Sequence, residues 1–158
     1  MSLWRPHTTA ILIVGVVAII LASAIAFVAA NFQPKTEIRM GSGVFSARVV
    51  DTPKTLEKGL SGTPKMSPND AMLFVFESDA KWGIWMKDMK VAIDIVWLNN
   101  KKEVIYIVKN ASPDLSTSKT FTPNDPARYV IEIAAGGVDR NNVRIGERVL
   151  FTLEGESN

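Results

Sequence analysis

Between Trp82 and Leu98 the chain runs Trp-Gly-Ile-Trp-Met-Lys-Asp-Met-Lys-Val-Ala-Ile-Asp-Ile-Val-Trp-Leu. Three of the four tryptophans fall here, and Asp94 is locked between isoleucines. A solvent-facing loop would not concentrate so much apolar surface, and a plain core strand has no use for Lys87 or Asp94. The stretch therefore predicts two strands through the middle of a small β domain, with polar groups held inside it.

The second constraint lies at the other end of the chain. Ala10 to Ala30 carries no charge at all. As a helix rising 1.5 Å per residue it would be roughly 30 Å long, about the thickness of a bilayer's hydrocarbon core. It is apolar on every side, as lipid exposure requires. Trp4 and Arg5 suit one headgroup level, and Phe32, Gln33, Pro34 and Lys35 the other. Val28 and Ala30 would also satisfy a signal peptidase, but the run exceeds the usual 7–15 apolar residues of a signal peptide. An uncleaved single-pass anchor is expected, with the domain on the extracytoplasmic side, or secreted if the segment is cleaved.

Removing that segment leaves about 120 residues, enough for a proper core. All Lys and Arg except Arg5, and all 16 Asp and Glu, lie beyond Asn31, so the domain is close to neutral. Nucleic acid is not an expected partner of so balanced a surface. There is no cysteine, which excludes disulfides, zinc–thiolate sites and thiol nucleophiles. The one histidine, His7, precedes the apolar run, so the domain has no Ser-His pair and no imidazole ligand. No cofactor is expected.

The rest of the chain reads mainly as β structure. Strands are predicted over 44–51, 71–77, 84–87, 92–98, 103–109, 128–134 and 147–154 from apolar alternation and flanking turn residues. Thr52-Pro53 opens a short helix carrying Leu56 and Leu60 on one face, which Gly59 or Gly62 would end. Asn99 to Lys102 is a hairpin turn, Asn110 to Ala127 a long loop, and Gly136-Gly137 a break. The expected fold is a compact β-sandwich or barrel of about seven short strands with one or two short helices, preceded by a single transmembrane helix. Its expected organisation is a tail over 1–9, the membrane helix over 10–30, a linker over 31–43, the β domain over 44–154 and a tail over 155–158.

The order of these pieces resembles the DUF192 family, also called UPF0127. The landmarks are Glu57-Lys58-Gly59-Leu60, Ala71-Met72-Leu73-Phe74-Val75-Phe76, Trp85-Met86-Lys87-Asp88-Met89 and Ile93-Asp94-Ile95. Pro126 to Gly136 and Ile145-Gly146-Glu147-Arg148-Val149 complete the set. The chain departs from the family pattern at Asp88 (usually Asn), Ala92 (usually Pro) and Ala71 (usually Gly), and it has Ser61 and Thr63 where Met and Arg are usual. The resemblance implies a barrel-like or sandwich β domain, often exported, and no assigned reaction.

Asp94 and Glu132 both interrupt apolar strands, and a buried carboxylate needs a partner. Lys87, Lys90 and Arg128 are the available cations, so a structural network of Lys87 with Asp94 or Glu132 is one expectation. A second is that Lys87, Asp88, Asp94, Arg128 and Glu132 line a pocket. Two neighbouring carboxylates would then divide acid and base roles, as in a hydrolase acting on envelope carbohydrate. Trp82 and Trp85 could form an aromatic surface for a ligand. Met86 and Met89, with Met66 and Met72 nearby, could instead hold Cu(I) through thioethers, although methionine is also ordinary core filler. An interaction or ligand-binding module is expected ahead of an enzyme, with the membrane contacted through residues 10–30 and a small-molecule, carbohydrate or protein partner.

Overall fold

The computed structural model describes residues 6–31, 35–115 and 119–155. The chain forms two units, Met1–Gln33 and Pro34–Asn158. The first is the helix α1 (Pro6–Asn31). Its described side chains, Ile11 and residues 13–26, are exposed. Among the described residues no helix is long and apolar enough to cross a membrane. Trp4, Arg5 and Phe32 to Pro34, expected at headgroup level, lie outside the described residues.

The second unit is built on strands β1 (Lys35–Met40), β2 (Gly43–Val50), β3 (Asp70–Ala80), β4 (Ile84–Trp85), β5 (Ile93–Leu98), β6 (Val104–Ala111), β7 (Thr120–Phe121) and β8 (Ala127–Ala134). Two short helices join them, α2 (Pro53–Lys58) and α3 (Gly137–Arg140). Six strands form one sheet in the order β1-β2-β3-β8-β5-β6, and β4 pairs with β7 in a second, two-stranded sheet. Only β2 and β3 run parallel within the large sheet. A parallel pair needs a crossover, which α2 and the loop after it supply.

Local chemistry explains the crossover's start. Pro53 fixes the first helical turn, and the Thr52 hydroxyl accepts from the Thr55 amide while the Thr55 hydroxyl accepts from the Thr52 amide. Gly59 then leaves the helix at φ +46°, close to the conformation that glycine adopts freely.

The large sheet is buried on both faces. One face carries Phe45, Ala47, Leu73, Val96, Leu98, Ile131 and Ile133. The other carries Met72, Phe74, Phe76, Ile93, Ile95, Trp97 and Val130 beneath Leu60, Ile84, Met86 and Met89. Trp97 is fully buried and its indole N–H donates to the Trp82 carbonyl at 2.8 Å, which pins the segment after β3 onto the second face.

The last segment behaves unlike a strand. Val149 and Leu150 exchange bonds with two different partners: Leu150 with Arg39 of β1, and Val149 with the Lys102 carbonyl just before β6. It thus links the sheet's two edges by isolated bridges, leaving no closed barrel but a six-stranded mixed sheet beside a small one. The strand expected over 147–154 is corrected accordingly. A second correction concerns 31–43, expected as a linker, where Lys35–Met40 is an edge strand with Ile38 and Met40 buried. With only two apolar residues in six, its alternation is too short to stand out. The long loop after β6 also contains a 3-10 turn at Pro113–Leu115 and the strand β7.

The β1–β2 hairpin turns at Gly41, whose φ is +57°. A Cβ here would lie 2.0 Å from the Asn141 carbonyl oxygen. Gly41→Ala should therefore lose about 2–4 kcal/mol, from left-handed strain plus a backbone clash. Urea denaturation measures this, and an unchanged midpoint would refute the assigned docking of the turn.

Candidate functional site

The two buried carboxylates are on opposite faces of the sheet. In the β5–β8 register Asp94 pairs with Ile133, and Glu132 with Ile95. Residues directly opposite share a face, so Asp94 points into the Val96 and Leu98 core and Glu132 into the Met72 and Ile95 core. The paired acid and base of a hydrolase are not formed.

Asp94 is fully buried and its partners are backbone amides. Oδ1 accepts from the Asn110 N–H and Oδ2 from the Val138 N–H, both at 2.8 Å. The carboxylate thus ties the end of β6, where Asn110 is at φ +53°, to the first turn of α3. Two main-chain donors stand where Lys87 was the expected partner. Lys87 is exposed, with Nζ 5.1 Å from the Trp85 ring centroid. Arg128 donates to the Glu77 carbonyl and lies 3.8 Å from Asp79. Asp88 occupies a turn at φ +56°, a conformation Asn and Asp tolerate better than most residues, and its carbonyl accepts from the Gly62 N–H. Lys87, Asp88 and Arg128 therefore do not join either buried carboxylate in a network.

Glu132 is different. It is 4% exposed, and its Oε2 has no hydrogen-bond partner. Burial pushes its carboxyl up to about 8. It lines a cavity of about 160 Å³ together with Leu56, Ser61, Phe74, Phe76, Ile84 and Trp85. The cavity lies where α2 and the segment around β4 cover the second face. Phe74 and Phe76 reach it because they share the face of Met72, which sits opposite Glu132 in the β3–β8 register. Sequence periodicity singles out Glu132, but not its aromatic and aliphatic surroundings, which come from three separate elements.

The tryptophans divide. Trp82 stacks on Phe76 at 4.3 Å between centroids and 7° between planes, and its indole N–H donates to the Ser78 carbonyl. It is packing rather than an open platform. Trp85 is 46% exposed and borders the cavity. Met72, Met86 and Met89 are buried in the second-face core, with Met66 packed against it. Met86 and Met89, the residues expected for Cu(I), thus pack as core filler among apolar neighbours.

Among curated proteins, a UPF0127 protein of Thermococcus sibiricus is 29% identical over 124 residues, covering 77% of this chain and 75% of its own. A UPF0127 protein of Pyrococcus furiosus is 26% identical over 87 residues, covering 52% and 68%. Two crystal structures share the fold. One, from Sinorhizobium meliloti 1021 and named as a candidate transcription regulator, has a TM-score of 0.71 at 25% identity, covering 75% of this chain and 95% of that one. The other, a protein of unknown function from Novosphingobium aromaticivorans, has a TM-score of 0.68 at 22% identity, covering 75% and 84%. The DUF192 family profile, described as an uncharacterized ACR, matches residues 35–151, and the chain belongs to that family.

Proposed function

We propose that the β domain is a small-molecule-binding module whose ligand sits in the cavity over Glu132. The observation that carries this reading is the unpartnered Oε2 of a buried carboxyl whose residue lines a partly open pocket. A buried polar atom left without a partner costs about 1–3 kcal/mol, a cost that a ligand's hydrogen bond removes. Aliphatic and aromatic side chains with a few polar groups among them are the usual make-up of such a site. Catalysis is not part of the reading, because the second carboxylate faces the opposite core. The name of the S. meliloti protein raises DNA binding, but the near-neutral domain offers little to support it.

A thermal-shift screen on the full chain and on Glu132→Gln tests the proposal. A ligand at 100 times its Kd should stabilise the wild type by about 2.7 kcal/mol, and the variant by clearly less. A broad panel of metals, sugars, acids, alcohols and amines that shifts neither protein, or both equally, would overturn it.

The N-terminal helix is proposed as the membrane anchor, with the β domain extracytoplasmic. This rests on its uncharged stretch from Ala10 to Ala30, long enough as a helix to match a bilayer's hydrocarbon core. Alkaline carbonate extraction of cell membranes checks it: the chain should stay in the pellet, and release into the supernatant would refute anchoring.

A further inference from the structure

We infer that the ligand of the Glu132 cavity is a small organic cation, an ammonium group on a short apolar body, held by a hydrogen bond from its N–H to Glu132 Oε2. This rests on the ligand-binding reading above and adds the ligand's class.

The inference follows from what the cavity offers. Leu56, Phe74, Phe76, Ile84 and Trp85 contribute aliphatic and aromatic surface. Ser61 is a polar lining side chain, but its hydroxyl already donates to the Lys87 carbonyl at 2.8 Å. The Gly59 N–H is committed to the Thr55 carbonyl. Burial keeps Glu132 protonated below about 8, able to donate as well as accept; an ammonium is the partner whose charge draws out the ionised form, and a charged donor on a carboxylate forms the stronger bond. An anion would oppose ionisation of Glu132 and gain at most the single hydrogen bond of the neutral acid. A sugar would bring several hydroxyls to one carboxyl and leave the others unpaired. Size limits the body: an apolar cavity of about 150 Å³ accommodates benzene, and this one is about 160 Å³.

Charge around the site agrees with a cation at its base. The other charged residues lining the cavity are Glu57 and Lys58 of α2, both exposed. From the neighbouring strands, β3 places Met72 and β5 places Ile95 opposite Glu132. Lys87, after β4, lies over the Trp85 ring. An ammonium therefore meets one deep charge partner, the Glu132 carboxyl. Because the bound state needs that carboxyl ionised, binding displaces its proton. Affinity should then rise about tenfold per pH unit below the carboxyl's titration near 8.

Titration of the full chain in detergent, followed by calorimetry and tryptophan fluorescence, tests this with matched probes: benzylamine, benzyl alcohol and benzoate. Benzylamine should bind at least tenfold more tightly than the alcohol and tighten about tenfold from pH 6 to pH 7. Glu132→Gln should abolish the amine preference and its pH dependence. Leu56→Trp, which fills the cavity from α2 while keeping Glu132, should abolish amine binding. Stronger binding of benzyl alcohol or benzoate would overturn the cation while leaving the ligand-binding reading intact. Amine binding that survives Leu56→Trp would overturn the assigned location. If none of the three probes binds, the inference fails, and the broad panel decides the ligand-binding reading separately.

Discussion

Asp94→Ala should lose about 3–5 kcal/mol of folding stability, the largest effect expected of any polar substitution in the domain. The wild-type carboxylate accepts from the Asn110 and Val138 amides at 2.8 Å in a fully buried setting. Each such bond to a charged acceptor is worth about 1.5–3 kcal/mol, and deleting the acceptor strands two buried donors. Asp94→Asn separates charge and shape from acceptor count. Its carboxamide keeps one acceptor but turns an N–H toward the other amide, so it should still lose about 2–3 kcal/mol. Urea midpoints measure both losses. Hydrogen exchange should quicken first at Asn110 and Val138, and an Asn variant as stable as the wild type would rule out the backbone-capping role.

Glu132→Gln should act in the opposite direction. The carboxyl's value rises from 4.5 to about 8 on burial. Between those values the unfolded chain has lost the proton and the folded chain retains it. Stability must therefore fall as pH rises across this window and level off above about 8. Over the whole window the loss is on the order of 4–5 kcal/mol, from about 1.4 kcal/mol per pKa unit. Gln has no proton to lose, so this group's contribution should disappear and the variant should exceed the wild type most clearly near pH 8. Denaturation midpoints at pH 5, 6.5 and 8 give the result. Parallel slopes for the two proteins would show that Glu132 does not carry the titration.

In the sequence Asp94 and Glu132 look alike, each a carboxylate between isoleucines. What distinguishes them is the main chain that reaches them. Two amides arrive at Asp94 from β6 and α3, and no donor arrives at Glu132 Oε2. Backbone amides carry no residue signature, so side-chain types suggested Lys87 where the real partners are Asn110 and Val138. The start of α2 was legible because Thr52 and Pro53 act within one turn. The interior strands were legible because Ala71 to Phe76 and Ile93 to Leu98 are apolar on both faces. β1 was missed because Ile38 and Met40 are its only deeply buried residues, and its pairing depends on β2 and the last segment. The 147–154 alternation did report the inward direction of Val149 and Phe151. It could not report that Val149 and Leu150 address opposite edges, because that depends on how far the sheet curls.

The pairing of Arg39 with Leu150 also sets a timetable for biosynthesis. The residues that seal the first strand are made only after every strand of the large sheet. Until then a nascent chain has two unsealed edges, each offering unpaired amides and carbonyls to any neighbouring strand. A chain stopped after Gly146 would retain both buried faces of the sheet but keep those edges permanently open. The clasp at Arg148 to Leu150 therefore seals the sheet, and chains cut before it should self-associate more readily than chains that contain it.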